Sequence, residues 1–381
     1  MKFGIINEAQ VNQGMSYGVR YRESLDEAVF AEQMGFDFVG FSEQHFMEGQ
    51  WSISAPELML AALAERTSKI QLRAQAISAL GKINHPIRVA ERAATMDILT
   101  GGRYTFATAR SNNDKYMKGF GIDPDTTREE FLEHLEVVIR LLGSDGPVTF
   151  EGTYFQFENL SINPKLESRE LLPIYVTATS VETHFLTGKL GLGLMTADSY
   201  LGWEYQQELI DSYRRGLAEA EPIGGLYEVN DSICGFTFPA YCAESNERAL
   251  SDARVTMQAL LKSVENLAAG LSGTKAPGYQ YWSTLHDNIV NHFDDLEYLN
   301  ESSPMFMVGD PDWFIERCEK LEAMGIGEIT LKIDGYGTSK TKKAIEMIGK
   351  YVIPHFKTRK GSVPENAFVR AGIQGVGRFE L

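Results

Sequence analysis

Three polar segments of the sequence carry residue types that could bind a phosphate group and take part in chemistry. Residues 110–113 (Arg-Ser-Asn-Asn) begin with an arginine, and residues 177–183 form a hydroxyl-rich segment. A guanidinium gives two parallel hydrogen bonds to phosphate, and a hydroxyl-rich turn that opens a helix adds hydroxyls and free backbone N–H groups at a positive helix end. Residues 42–46 (Ser-Glu-Gln-His-Phe) add acid–base and hydrogen-bonding groups. These segments predict a phosphate site, although the phosphate pattern is generic by itself.

Other catalytic patterns common on α/β folds are missing from the sequence. The seven histidines include no H-x-H pair and no H-E-x-x-H motif, which counts against a metal hydrolase. There is no G-x-x-x-x-G-K-[ST] loop and no G-x-S-x-G elbow. Gly119 and Gly121 lack the third glycine of a dinucleotide fingerprint, and Gly191 and Gly193 fall at the start of a predicted strand. The three polar segments therefore become the main candidates for chemistry.

Composition limits the expected partners and compartment. The formal net charge is −16, and a field of that sign repels a phosphate backbone, so nucleic acid is not expected as a partner. The three cysteines include no C-x-x-C motif and predict no disulfide framework. No apolar run reaches the roughly 18 residues of a membrane span, and the first apolar run is too short for a signal peptide. We therefore predict a soluble, cytoplasmic protein without a membrane partner.

The polar segments follow short apolar strands that alternate with amphipathic helices. The helices are predicted over residues 22–34, 56–67, 85–99, 128–142, 204–217, 246–261 and 340–351. The strands are predicted over residues 3–6, 36–41, 70–77, 104–109, 173–177, 192–196, 235–241 and 328–333. This alternation predicts an α/β fold, a (β/α)8 TIM barrel, which builds its site at the carboxyl ends of the strands.

Two stretches interrupt the alternation. Residues 143–172 form an insertion before strand five, and residues 268–307 form a longer insertion between strands seven and eight. A long connection in a compact domain is usually functional or disordered, and the second one carries aromatic residues and histidines, among them Tyr279, Trp282, His286 and His292. We therefore predict one barrel domain over residues 1–356 with 268–307 as a candidate lid, followed by a tail at 357–381.

A series of short motifs connects the chain to a known family. They are residues 2–4 (Lys-Phe-Gly), 34–37 (Met-Gly-Phe-Asp), 43–46 (Glu-Gln-His-Phe), 85–91 (His-Pro-Ile-Arg-Val-Ala-Glu), 97–104 (Asp-Ile-Leu-Thr-Gly-Gly-Arg-Tyr) and 308–313 (Val-Gly-Asp-Pro-Asp-Trp). No single motif is decisive, but their order and spacing are specific. Over about residues 1–356 the sequence resembles the bacterial luciferase-like flavin-dependent monooxygenases.

The resemblance implies a cofactor and a set of residues that contact it. The cofactor is reduced FMN, supplied by a separate flavin reductase, and O2 adds to it to give a C4a-peroxyflavin that oxygenates a small organic substrate. Family members often carry a non-proline cis peptide after strand three, where Gln75 and Ala76 lie. The predicted cofactor-binding residues are Glu43, Ala74, Gln75, Ala76, Arg110, Asn112, Asn113, Thr177, Ala178, Thr179, Ser180 and Thr183. Family habit also favours a homodimer.

One departure from the family motif affects the predicted chemistry. The luciferase α subunit has two adjacent histidines after strand two, whereas this sequence has Gln44 and His45 there. Glutamine can hydrogen-bond but cannot act as a base near neutral pH. We name both as predicted catalytic residues: either His45 takes the acid–base role, or the chemistry needs none there. Oxygenation without bioluminescence is expected, and the alternatives are an F420-dependent oxidoreductase and a non-catalytic flavin-binding protein.

Overall fold

The structure is a computed structural model of the 381-residue chain. The residues it describes are 1–47, 51–111, 113–167, 171–197, 200–223, 228–271 and 281–358. Within these ranges, no helix combines the length and the apolar composition needed to cross a membrane.

Eight parallel strands close into a barrel in the described structure. Their spatial order is β1-β12-β9-β8-β7-β4-β3-β2. Within the described residues, the strands in chain order are β1 (Lys2–Asn7), β2 (Phe38–Phe41), β3 (Gln71–Ser78), β4 (Tyr104–Ala109), β5 (Val148–Glu151), β6 (Gln156–Leu160), β7 (Ile174–Ala178), β8 (Gly193–Thr196), β9 (Ile233–Thr237), β10 (Ala240–Cys242), β11 (Met307–Gly309) and β12 (Glu328–Lys332). The predicted (β/α)8 barrel is confirmed, with every predicted strand represented.

Helices surround this barrel and connect its strands. They are α1 (Tyr17–Gln33), α2 (Pro56–Ala64), α3 (Pro86–Thr100), α4 (Asp114–Phe120), α5 (Thr127–Gly143), α6 (Val181–Lys189), α7 (Trp203–Ala218), α8 (Asn246–Leu271), α9 (Tyr281–His292), α10 (Leu296–Ser302), α11 (Pro311–Ala323), α12 (Thr338–Met347) and α13 (Ile353–Lys357). Local sequence sets several ends: Ser180 caps the start of α6, and Gly101 ends α3 in the left-handed conformation.

The structure corrects some of the predicted elements. The predicted strand 235–241 is two strands, β9 and β10, because Pro239 has no N–H to donate to a strand ladder. The insertion 143–172 contains an antiparallel hairpin, β5 and β6. The seven-residue helix α4 was not among the predicted helices, since it spans too few turns to give a long periodic pattern, and the 13-residue helix α11 was not predicted either.

The lower part of the barrel interior contains a buried ion pair. The guanidinium of Arg73 lies between the rings of Phe38, at 4.2 Å, and Tyr175, at 4.3 Å, and donates to the Glu328 carboxylate at 2.9 Å. A Cβ on Gly4 would lie 2.2 Å from the Phe38 ring, so glycine is needed there to make room. Burial opposes charge on Glu328, but Arg73 and Lys2 outweigh that effect and hold its pKa below 4.5. We call Arg73 and Glu328 the floor pair.

Candidate active site

A cavity of about 280 Å³ lies at the carboxyl ends of the barrel strands. Its walls come from the strand ends or following loops of β1, β2, β3, β4, β7, β8 and β9, which is the face where barrel enzymes build their sites. Among the described lining residues, the charged side chains are Glu8, Glu43 and Arg110. The cavity therefore collects groups from all three polar segments of the sequence.

One side of the cavity has the features of a phosphate cradle. Arg110, after β4, lines it together with Thr179, Ser180 and Thr183 at the junction of β7 and α6. The Ser180 hydroxyl accepts from the Thr183 N–H at 3.3 Å and lies 3.0 Å from the Thr183 hydroxyl. α6 begins directly after Ser180, and the start of a helix carries free backbone N–H groups and positive potential. Thr177 and Ala178 also line the cavity.

The carboxyl end of β3 forms another wall. Gln75 and Ala76 line the cavity and are joined by a cis peptide bond, as the family resemblance implied. The Gln75 residue is 1% exposed, and neither polar atom of its amide has a hydrogen-bond partner in the described structure. A Cβ on Gly40 would lie 2.3 Å from Gln75 Oε1, so this glycine makes space for the amide. Buried polar groups without partners are uncommon and point to a bound ligand or water.

Ala74 does not line the cavity. It is fully buried, and its position does not match the predicted contact with the cofactor. Successive side chains of a strand point to opposite faces. Because Arg73 points into the barrel, the neighbouring Ala74 points outward, against the helical layer.

Glu43 is held in place by groups behind the cavity. Its carboxylate accepts from the Ser78 N–H at 2.7 Å and from Asn84 Nδ2 at 2.9 and 3.0 Å. His45 Nε2 lies 3.2 Å from Glu43 Oε1. Glu43 is therefore a lining residue whose oxygens are already engaged by protein groups.

His45 does not line the cavity in this structure. Its ring packs edge-on against Tyr116 and Phe120, with centroids 5.3 and 5.1 Å away, on the outer side of the loop after β2. Gln44 does line the cavity. Of the two predicted catalytic residues, the structure thus brings only Gln44 to the other cavity residues.

A hydrogen-bond chain crosses the cavity wall through Gln44. The Tyr116 hydroxyl donates to Gln44 Oε1 at 2.5 Å, and Gln44 Nε2 donates to Glu8 Oε1 and to Ser42 Oγ, each at 2.7 Å. Burial raises the pKa of Tyr116, so its hydroxyl keeps its proton and can act as this donor. The chain fixes the orientation of the Gln44 amide, with its nitrogen toward Glu8.

Two asparagines were predicted to contact the cofactor. Asn113 lines the cavity, but its Oδ1 caps α4 by accepting from the Lys115 N–H at 2.9 Å, and its Nδ2 lies 3.2 Å from Met47 Sδ. Asn112 lies outside the described residues. Asn113 therefore has a clear local role in starting α4, in addition to its place in the wall.

The other side of the cavity is apolar. Trp51, Phe236 and Phe238 line it, together with Val264 of α8 and Leu285 of α9. Leu285 belongs to the candidate lid at 268–307, so part of that segment contacts the cavity. Of the aromatic and histidine residues singled out there, Tyr279 and the side chain of Trp282 lie outside the described residues. His286 and His292 are absent from the described lining.

Sequence reasoning missed Glu8 and its two charged neighbours. Glu8 follows β1, is 4% exposed and lines the cavity. Lys332, at the end of β12, lies 3.1 Å from Glu8 Oε2 and also pairs with Asp334. The signal that could have found them is position, because all three lie at the carboxyl ends of adjacent barrel strands. We call Glu8, Lys332 and Asp334 the rim cluster.

The fold and cavity place the protein among the (β/α)8 enzymes that carry their site at the carboxyl ends of the strands. The family model described as luciferase-like monooxygenase matches residues 1–328, and the chain belongs to this family. This match confirms the resemblance, and with it the prediction of an enzyme of the flavin-dependent monooxygenase class.

Curated relatives cover most of the chain at modest identity. A 4-hydroxyprotoasukamycin monooxygenase from Streptomyces nodosus subsp. asukaensis is 26% identical over 90% of this chain and 89% of its own length. A limonene 1,2-monooxygenase from Rhodococcus erythropolis is 25% identical over 84% and 79%. An F420-dependent glucose-6-phosphate dehydrogenase from Microbacterium testaceum is 23% identical over 88% and 94%. The family thus spans two kinds of cofactor.

Solved structures share the fold. A monooxygenase from Streptomyces bottropensis superposes with a TM-score of 0.76 at 23% identity, over 93% of this chain and all of the other. The oxygenating constituent of a 3,6-diketocamphane monooxygenase from Pseudomonas putida, a structure in complex with FMN, gives 0.73 at 19% identity, over 93% and 98%. At these identities the likeness concerns the fold alone.

Proposed function

We propose that the protein is a two-component monooxygenase that binds reduced FMN and uses O2 to oxygenate a small organic substrate, without light emission. The observation that carries the proposal is one cavity that combines a phosphate cradle with the unpartnered Gln75 amide. FMN presents a phosphate at one end and, at the other, a ring edge with both hydrogen-bond donors and acceptors. The two ends match Arg110 with the start of α6, and the Gln75 amide, respectively.

Each side of the cavity then has a distinct task. Arg110, Ser180 and Thr183 would hold the phosphate, while Gln75 and Ala76 would lie against the flavin ring. Reduced flavin supplies the electrons that activate O2. The apolar side, with Trp51, would hold the substrate and exclude water, which protects reactive species from hydrolysis.

Gln44 and His45 take different tasks in this proposal. Gln44, held by Tyr116 and donating to Glu8, would contact the reactants by hydrogen bonding, since an amide cannot act as a base near neutral pH. His45 would position Glu43 from outside the cavity. The proposal therefore needs no histidine base in the cavity.

The remaining parts of the proposal concern partners and organisation. The electrons would come from a separate flavin reductase, and the enzyme would act as a cytoplasmic homodimer. Residues 1–356 would form the barrel domain with 268–307 as its lid, and residues 357–381 would form a tail. The contact of Leu285 with the cavity supports the lid.

The second candidate is hydride transfer with F420, favoured by the F420-dependent relative. The acidic tail of F420 would call for several cations at the cavity mouth. Arg110, Lys115 and Lys118 lie in or near the loop after β4. Lys118, however, is paired with Asp114 at 2.6 Å, which reduces its availability to a ligand.

Anaerobic titration of the full-length protein separates the two candidates. We expect reduced FMN to bind more tightly than reduced F420. The Arg110→Ala variant should lose at least about tenfold in FMN affinity, because charge-assisted hydrogen bonds to phosphate are strong. Riboflavin has no phosphate, so its affinity should change little in this variant.

Controls and turnover complete the test. Lys115→Ala is the matched control, and it should leave FMN affinity close to that of the wild type. Coupled to an FMN reductase, the wild type should consume O2 steadily, whereas a non-catalytic flavin-binding protein would not. Tight binding of F420 with weak binding of FMN would replace oxygenation by hydride transfer.

A further inference from the structure

We propose that Glu8 anchors a hydrogen-bond donor, a hydroxyl or a protonated amine, on an otherwise apolar substrate, and that the cavity rejects anionic substrates. This inference rests on the proposed function in one respect, the assignment of the apolar side to the substrate. It adds the chemical class of that substrate.

The barrel topology places Glu8 away from the phosphate cradle. Glu8 follows β1 and the cradle follows β7, and these strands are four places apart in the closed ring of eight. Glu8 instead lies near aromatic lining residues. Its backbone oxygen accepts from the Ser52 N–H at 3.0 Å, next to Trp51, and its partner Lys332 has Nζ 5.8 Å from the Phe238 ring centroid. A ligand on the apolar side would therefore meet the Glu8 carboxylate.

The charges around Glu8 leave an excess of negative charge. Lys332 is shared between two carboxylates, Glu8 and Asp334. The next buried pair, Arg20 and Glu27, is balanced within itself, with Arg20 NH2 2.6 Å from Glu27 Oε2. These five groups thus comprise three acids and two bases. A buried excess charge favours a ligand of opposite charge or a strong hydrogen-bond donor.

The Glu8 carboxylate also has acceptor capacity left, because Oε2 is buried and accepts no hydrogen bond within the described structure. A carboxylate has about four acceptor positions. Gln44 Nε2 donates to Oε1, Lys332 lies beside Oε2, and Ser42 is a further hydrogen-bond neighbour. Burial raises the pKa of Glu8 in spite of Lys332, so the carboxylate is poorly solvated. A donor on the substrate would replace part of the lost hydration.

An anionic substrate would find no comparable partner on this side. Among the described lining residues, Arg110 is the one with a positive side chain, and it belongs to the phosphate cradle. Glu43, the other acid of the lining, would add repulsion. The cavity should therefore prefer amines and alcohols over carboxylates of the same size.

The test compares four small probes that share one ring: benzylamine, benzyl alcohol, toluene and benzoate. Their dissociation constants are measured calorimetrically with the full-length protein, without flavin and without O2. For the wild type we expect benzylamine and benzyl alcohol to bind about tenfold more tightly than toluene, as for a hydrogen bond to a charged group, and benzoate to bind most weakly. Equal or tighter binding of benzoate by both the wild type and Arg110→Ala, in which the cation of the phosphate cradle is removed, would overturn the proposal.

Variants assign the effect to Glu8. Glu8→Gln keeps the shape and removes the charge, so the preference for benzylamine over toluene should fall to about threefold or less. Glu204→Gln, which removes an exposed acid that is not among the described lining residues, is the matched control and should keep the wild-type order of the probes. Circular dichroism and thermal unfolding confirm that each variant is folded.

Further outcomes keep the test decisive. If Glu8→Gln does not fold, Glu8→Asp retains the charge and withdraws it by one methylene, so amine affinity should weaken while benzoate remains the weakest ligand. A Glu8→Gln protein that keeps the wild-type order would refute the assignment. Because no flavin is present, failure here leaves the FMN titration intact, and failure of that titration leaves this result intact.

Discussion

The floor pair and the rim cluster are two solutions to the same problem, buried charge inside one barrel. At the floor, the Arg73 guanidinium lies between two aromatic rings and faces one carboxylate, and the pKa of Glu328 is lowered. At the rim, Lys332 faces two carboxylates, and the pKa of Glu8 is raised. At the floor the carboxylate is buried and faces two cations, Arg73 and Lys2, whereas the rim lines the cavity with an acid in excess. The comparison separates charge that stabilises the fold from charge that is available to a ligand.

The largest expected effect comes from breaking the floor pair. Arg73→Leu leaves the Glu328 carboxylate buried without its main partner, which should lower the free energy of unfolding by about 3–5 kcal/mol. Urea denaturation measures the change. The double variant Arg73→Leu/Glu328→Leu should recover a large part of the loss, because no unpaired charge remains. A single variant as stable as the wild type would show that the floor pair does not have the structural role assigned to it.

Two buried histidines limit the pH range in which the clusters can be compared. Burial lowers the pKa of His134 and of His184 to about 4. Each stays neutral in the folded protein but gains a proton near pH 6.5 when unfolded, so stability is full above pH 6.5 and falls as the pH drops toward 4. The loss should approach about 3 kcal/mol per histidine.

Chemical denaturation at a series of pH values checks the histidine prediction. In His184→Gln the pH dependence between about 6.5 and 4 should be shallower than in the wild type, because one titrating group is removed. An unchanged slope would contradict the assignment of a low pKa to His184. The same variant tests the cradle, since His184 Nδ1 lies 2.8 Å from the backbone carbonyl oxygen of Ser180.

The smallest expected effect is the change with pH in the stability that Glu328 and Glu8 contribute. It tests directly whether the buried acids of the floor pair and the rim cluster differ in pKa. Glu328 has a lowered pKa, so its stabilisation is present above its ordinary pKa of 4.5 and is lost as the pH falls through the folded value. Glu8 has a raised pKa, so its contribution is greatest below 4.5 and is lost as the pH rises through the folded value. The contributions of the two acids to the free energy of unfolding should therefore change with pH in opposite directions.

The measurement is the stability difference between the wild type and each of Glu328→Gln and Glu8→Gln as a function of pH. Above pH 6.5, Glu8→Gln should change the free energy of unfolding by less than about 1 kcal/mol, since it leaves a matched pair of Lys332 and Asp334. If the stability difference from the wild type changed with pH equally and in the same direction for both variants, the distinction between floor and rim would be wrong.

Sequence reasoning recovered the architecture because the barrel repeats one pattern. Each buried strand is a short apolar run, and helices such as α5 show a clear apolar face, so their order could be predicted. The split between β9 and β10 depends on one proline, and the short helix α4 depends on its cap at Asn113. A single proline or a single cap residue is harder to recognise in the sequence than the repeated apolar pattern that predicts the longer helices and strands.

For the site, position along the strands was a better guide than residue type. The rule that strand ends form the site found Gln44, Arg110 and the turn before α6, all of which line the cavity. The orientation of His45 could not be predicted, since it depends on packing against Tyr116 and Phe120, which are distant in sequence. Glu8 was missed because no motif surrounds it.

A substitution at Gly40 would change the shape of the cavity, although Gly40 itself is not among the described lining residues. A single methyl group at this position would collide with the Gln75 amide and force it to move. A Gly40→Ala change would therefore displace the Gln75 amide by direct steric contact from β2. The interior face of strand β2 is therefore a place to adjust the cavity while every described lining residue keeps its identity.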